Sequence, residues 1–84
     1  MMEVPTVHLN GTSRKDLLDQ VCNAGLAGRA YIKALAEMSP NGRDYYPQGP
    51  QAFSLADDEH VARITKVKEI IDELTTLAEA IADA

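Results

Sequence analysis

The chain has 84 residues, of which 45% are apolar and 25% are charged, and its formal net charge is −5. This length predicts one domain, close to the lower limit at which a single core holds a fold. The negative charge argues against binding of duplex nucleic acid, because nothing offsets repulsion from the phosphates. The single cysteine excludes an internal disulfide and fits a reducing compartment. With no apolar run long enough for a membrane span and no signal-peptide core, we expect a soluble, cytoplasmic protein without a membrane partner.

Residues 1–12 are predicted to form an extended N-terminal arm. The stretch EVPTVHL has no helical periodicity, and Pro5 opposes an early helix. An extended arm and a short edge strand both fit this pattern. Asn10-Gly11 is then expected to turn the chain toward the first helix.

The first helix is predicted over residues 13–39. Ser13 suits the N-cap, since its hydroxyl can bond the backbone of Asp16, and Pro40 disfavours helical geometry in the residue before it. Gly25 and Gly28 in the middle either allow close approach of another helix or mark a kink, and the apolar seam continuing in phase favours close approach. That seam comprises Leu17, Val21, Ala24, Gly28, Tyr31, Leu35 and Met38, at alternating spacings of four and three.

The second helix is predicted over residues 54–83, with Ser54 as N-cap and the acidic residues 57–59 in its first turn. His60 lies on the apolar seam, so we interpret it as a core or interface histidine rather than a ligand. The seam of this helix comprises His60, Ile64, Val67, Ile71, Leu74, Ala78 and Ile81.

Two helices of similar length with matching seams predict an all-α fold, an antiparallel two-helix hairpin over residues 13–84. Each apolar stripe is wider than one partner helix can cover. We therefore expect a homo-oligomer whose core forms between chains. The residues predicted for this interface are Leu17, Val21, Gly28, Leu35, Ile64, Ile71 and Leu74.

The sequence offers little to an enzyme. His8 and His60 stand in no metal-binding motif, and no glycine-rich phosphate loop follows a predicted strand. We predict a protein that is not an enzyme and has neither a metal nor a cofactor.

The turn at residues 40–53 is the candidate functional site. A guanidinium beside two aromatic faces can grip a phosphate while a planar group stacks, and Asn41-Gly42 suits a turn with positive φ. The structural alternative is that Arg43 pairs with Asp44 while the aromatic residues form a lid over the end of the hairpin. The candidate ligand-binding residues are Asn41, Arg43, Asp44, Tyr45, Tyr46 and Arg63, the last of them placed nearby by the hairpin.

A second candidate anion site lies at the start of the first helix. A helix N-terminus has free backbone N–H groups, and Arg14 and Lys15 add positive charge there. This signal has low specificity.

The stretches VPTVHLNGTSR and PNGRDYYPQG resemble small proteins encoded in tailed phages and prophages, a group that implies no particular activity. The architecture is also similar to the helical-hairpin phage sponges that sequester cyclic-nucleotide immune signals. In those oligomers a Pro-x-x-Arg-acid turn introduces the second helix, and Pro40 to Asp44 matches it. The sequence departs from the sponges in Tyr-Tyr-Pro-Gln-Gly and in the second helix.

This resemblance implies an oligomeric phage protein that binds a nucleotide second messenger in the cytoplasm of an infected bacterium, as an anti-defence protein. The alternative is a protein–protein interaction module, either an inhibitor of a host defence protein or a minor assembly factor. Exposed Tyr and Arg side chains are common interface anchors, so the turn suits both functions.

Overall fold

The computed structural model of the protein describes residues 2–84 and is all-α. Helix α1 spans Arg14–Glu37, the one-turn helix α2 spans Gly42–Tyr45, and helix α3 spans Ala52–Asp83, with a 3-10 turn at Tyr46–Gln48 between α2 and α3. The molecule is elongated, about 62 Å in its longest dimension and 16 Å in its shortest. The described residues include no strand.

Three contacts show that α1 and α3 run antiparallel. Arg14, at the start of α1, donates a hydrogen bond to the carbonyl of Ala84. Gly28 faces Ile71 in the middle, and Leu35, near the end of α1, bonds His60, near the start of α3. The predicted helical hairpin is therefore present.

The N-terminal arm has no regular structure from residue 2 to residue 8 and then turns. The turn is closed by a hydrogen bond from Gly11 N–H to the His8 carbonyl, 3.1 Å long. The edge-strand alternative is not realised within the described residues.

Helix α1 begins as its sequence predicts. The Ser13 hydroxyl accepts from the Asp16 backbone N–H at 3.1 Å, which satisfies one of the free donors of the first turn. At the other end, the Ser39 hydroxyl donates to the Ala36 carbonyl at 2.8 Å, just before Pro40.

The prediction that Ser54 caps the second helix is wrong. Helix α3 begins two residues earlier, at Ala52, with Gln51 in the N-cap position and no side-chain cap. Gly49 adopts a φ of 115° and re-aims the chain, so that the Ala52 N–H reaches the Gly49 carbonyl. The acidic residues 57–59 consequently lie beyond the first turn.

The predicted seam of α3 is confirmed, because all seven of its positions are buried or half-buried. The seam of α1 is shifted at three positions. Ala24, Tyr31 and Met38 are exposed, and half-buried Gly25 and Ile32 lie on the inner face instead. A spacing of four and three fits two neighbouring stripes on an α-helix, and only the position of α3 selects between them.

The glycines of α1 differ in their surroundings. A Cβ atom at Gly28 would lie 2.9 Å from Ile71 Cγ1, whereas a Cβ atom at Gly25 would meet no atom within 4 Å. The predicted close approach is therefore confirmed at Gly28 only.

The seven residues predicted for an interface between chains all lie in the hairpin's own seam, buried or half-buried. Few side chains are deeply buried: between residues 2 and 84 the buried apolar residues are Leu35, Ala56, Ile71 and Ile81.

None of the helices described here is both long enough and apolar enough to cross a membrane.

Candidate functional site

The turn between the long helices is itself helical, and Asn41 organises it. Asn41 is the N-cap of α2, with extended backbone geometry at φ −119°. Its Oδ1 atom accepts from the Arg43 backbone N–H at 2.9 Å and from Arg43 Nε at 3.2 Å. The predicted positive φ at Asn41-Gly42 is wrong, since Gly49 alone has positive φ among residues 2–84. An asparagine that caps a helix needs the extended conformation instead.

Arg43 is held in place without being neutralised. Asn41 engages only its Nε, and its two Nη groups have no acceptor in the described part of the chain. The alternative in which Arg43 pairs with Asp44 is not realised, because the one ion pair among residues 2–84 joins Lys15 to Asp19. The exposed Nη edge keeps the donor geometry that suits a phosphate or carboxylate.

His60 links the two long helices and orients Arg63. Its Nε2 atom lies 2.6 Å from the Leu35 carbonyl oxygen, which can only accept, so Nε2 carries a proton. Arg63 Nη1 lies 3.3 Å from His60 Nδ1 and can only donate. Both contacts are satisfied by one neutral tautomer. The residue is 3% exposed, which agrees with the interpretation of His60 as a core histidine.

A cleft of about 350 Å³ opens beside this arrangement, at the tip of the hairpin. Its size is at the lower end of the range for small-molecule sites. The cleft is lined by Met38, Pro40, Tyr45, Ala56, Glu59, His60 and Arg63.

Of the six predicted ligand-binding residues, Tyr45 and Arg63 line this cleft, whereas Asn41, Arg43, Asp44 and Tyr46 lie outside its lining. The two adjacent tyrosines therefore differ: Tyr45 is half-buried in the cleft wall, and Tyr46 is 78% exposed.

Sequence reasoning missed Glu59 as a lining residue of the cleft. The spacing of four residues between Glu59 and Arg63 could have indicated this, because residues three and four apart share a helix face. The carboxylate gives the cleft a hydrogen-bond acceptor opposite in charge to Arg63.

The second predicted anion site has its cations engaged elsewhere. Arg14 donates to the Ala84 carbonyl, and Lys15 bonds Asp19 at 2.7 Å across one helical turn. The hydrogen bond and the charge of Asp19 raise the pKa of Lys15 above its ordinary value. Among residues 2–84, no three His, Cys, Asp or Glu side chains gather as a possible metal site.

No protein-family model, curated protein or solved structure matches this chain.

Proposed function

We propose that the chain is an oligomeric, non-enzymatic, phage-type protein that binds a small phosphate-bearing ligand, such as a nucleotide second messenger, at the tip of the hairpin. The observation that carries the proposal is a pair of arginines held by neutral partners. Asn41 holds Arg43, and His60 holds Arg63 beside the cleft. Neither partner cancels the positive charge, so both guanidinium groups remain available to an anion.

The remaining polar and aromatic groups of the cleft favour a nucleotide over a bare phosphate. Tyr45 supplies an aromatic surface, and the Glu59 carboxylate can accept from ring or exocyclic N–H groups of a base. A bare phosphate would be repelled by Glu59, whereas a nucleotide can direct its base to the carboxylate and its phosphate from Arg63 outward to Arg43, which lies outside the lining of the cleft. Together with the resemblance of the turn to the phage sponges, these groups support the proposal of an anti-defence protein that sequesters a signalling nucleotide.

The test is a thermal-melt panel of cyclic mononucleotides and dinucleotides, with nucleosides and inorganic phosphate as controls. A ligand present at 100 times its Kd adds about 2.7 kcal/mol to stability. We expect at least one nucleotide to raise Tm while its nucleoside and phosphate parts, at the same concentration, do not. A panel in which no nucleotide shifts Tm would overturn the proposal.

Arg43→Lys tests the role of the guanidinium. Lysine keeps the charge but loses the planar fork and the Nε contact with Asn41, so we expect at least a tenfold loss of affinity, about 1.4 kcal/mol, with an unchanged melting curve for the free protein. The matched control is Lys68→Ala, which removes an exposed positive charge from the middle of α3. Equal affinities for the wild type and Arg43→Lys would remove Arg43 from the site.

A second candidate function, contact with a host protein, is favoured by exposed apolar and aromatic side chains near the tip. Tyr46 is 78% exposed, Leu55 is 60% exposed and Phe53 is 41% exposed. Tyrosines of this kind are common anchors of interfaces. The adjacent tyrosines discriminate between the two functions: Tyr45→Ala should impair a ligand in the cleft, whereas Tyr46→Ala should impair a protein contact.

A further inference from the structure

An apolar groove runs along one side of the hairpin, away from the tip. It has a volume of about 330 Å³ and lies between Cys22, Gly25 and Leu26 on α1 and Leu74 and Ala78 on α3. Leu26 is 61% exposed on its edge, and apart from the neighbours of Gly25 in the chain and its own helix backbone no atom lies within 4 Å of a Cβ position at Gly25. The groove therefore has an unpacked large side chain directly beside an unfilled hollow.

The chain exposes more surface than a compact protein of its mass, and contact with a second chain would bury part of that excess. The accessible surface is 6404 Å² for 9.1 kDa, whereas a compact monomer of that mass exposes about 4,900 Å². The mostly exposed N-terminal arm and the elongated hairpin both contribute to the excess of roughly 1,500 Å². A stable interface of ordinary size removes about 800 Å² from each partner, so one such contact removes about half of this excess.

We propose that a second copy of this chain occupies the groove, with its α1 antiparallel to the first α1 and a two-fold axis near Gly25 and Leu26. Leu26 of each copy then enters the hollow above Gly25 of the other, as a knob enters a hole. The contact is self-complementary, which a two-fold dimer requires. This inference rests on the oligomer of the proposed function and identifies the surface through which two copies would associate.

Charge complementarity supports the same arrangement. Arg29 and Glu79 both line the groove, toward opposite ends. The contact between Gly28 and Ile71 sets the register of α1 against α3. With the axis between Gly25 and Leu26, Arg29 of the second copy falls within about 3 Å, along the helix axis, of the level of Glu79, from the rise per residue. The proposed dimer therefore has two such pairs, each between Arg29 of one copy and Glu79 of the other.

The experiment is a charge swap read by native mass spectrometry and light scattering on the full chain. We expect the wild type to show at least twice the 9.1 kDa chain mass at micromolar concentration. Arg29→Glu and Glu79→Arg should each raise the concentration needed for association at least tenfold, and the double variant should restore it.

Gly25→Leu tests the hollow directly. A Cβ atom at Gly25 meets nothing within 4 Å and the groove beyond it is open, so the hairpin should keep its helical circular dichroism, but the leucine fills the space that Leu26 of the second copy needs. We expect a loss of dimer with the fold retained. The matched control is Val61→Asp, which places a charge at an exposed apolar position outside the groove and should leave the mass unchanged.

Two outcomes overturn the inference in different ways. A wild type of 9.1 kDa at every concentration would overturn both self-association and its surface. An oligomer that is indifferent to Gly25→Leu and to the charge swap would overturn only the surface named here. Nucleotide binding, measured on the same variants, reports on the tip independently.

Discussion

The same substitution, glycine to alanine, should have opposite effects at two positions one helical turn apart. At Gly25 a Cβ atom enters open space in the single chain, so below the concentration of association Gly25→Ala should gain the helix propensity of alanine, about 1 kcal/mol. At Gly28 the new Cβ atom would lie 2.9 Å from Ile71 Cγ1 and 3.2 Å from Cδ1. Ile71 is buried and β-branched, and β-branched side chains in helices keep to one χ1 rotamer, so Cγ1 cannot move aside cheaply.

We therefore expect Gly28→Ala to lose more through overpacking than it gains in propensity. Overpacking costs about 1 to 3 kcal/mol, which leaves a net loss of up to about 2 kcal/mol after the propensity gain. The two variants should then differ in stability by at least about 1 kcal/mol, corresponding to at least roughly 4 to 8 °C in Tm for a domain of this size.

The assay is urea unfolding followed by circular dichroism, repeated over a tenfold range of protein concentration. The effect of association on stability depends on protein concentration, whereas helix propensity and packing within one chain do not. The concentration series therefore separates association from the effects within the chain. The background variant Ile71→Ala removes both clashing atoms, and on that background Gly28→Ala should become stabilising. A stabilising Gly28→Ala in the otherwise native chain would refute the close approach of α1 and α3 at this position.

Two further predictions concern caps and the buried histidine. Ser13→Ala should cost about 1 kcal/mol because it removes the N-cap bond to Asp16, while Ser54→Ala should be near neutral because Ser54 lies inside α3; equal losses in chemical unfolding would contradict this. His60→Ala should cost about 1 kcal/mol by removing one of the two hydrogen bonds to the Leu35 carbonyl, which keeps the Met38 N–H as its other donor. His60→Gln can still donate to that carbonyl and should cost less than half as much, so equal losses would show that packing rather than the hydrogen bond matters.

Local rules were sufficient for much of the hairpin. Periodic apolar residues predict both long helices, and the start of α1 follows from Ser13, whose hydroxyl needs only its own first turn to find a partner. The inner face of α3 was also predictable, because one apolar stripe dominates the sequence of that helix.

Other features depend on atoms distant in sequence, and only the tertiary structure decides them. Gly25 and Gly28 carry the same local signal, yet Ile71 approaches only one of them. Tyr45 and Tyr46 are adjacent, yet only the first meets the cleft formed where α3 passes the tip. Local sequence specifies backbone preference and periodicity, which act over a few residues, whereas the neighbour that a side chain meets depends on how two helices cross. The sequence by itself therefore determined the two long helices, apart from the start of α3, and their packing determined which of their faces are buried and which are exposed.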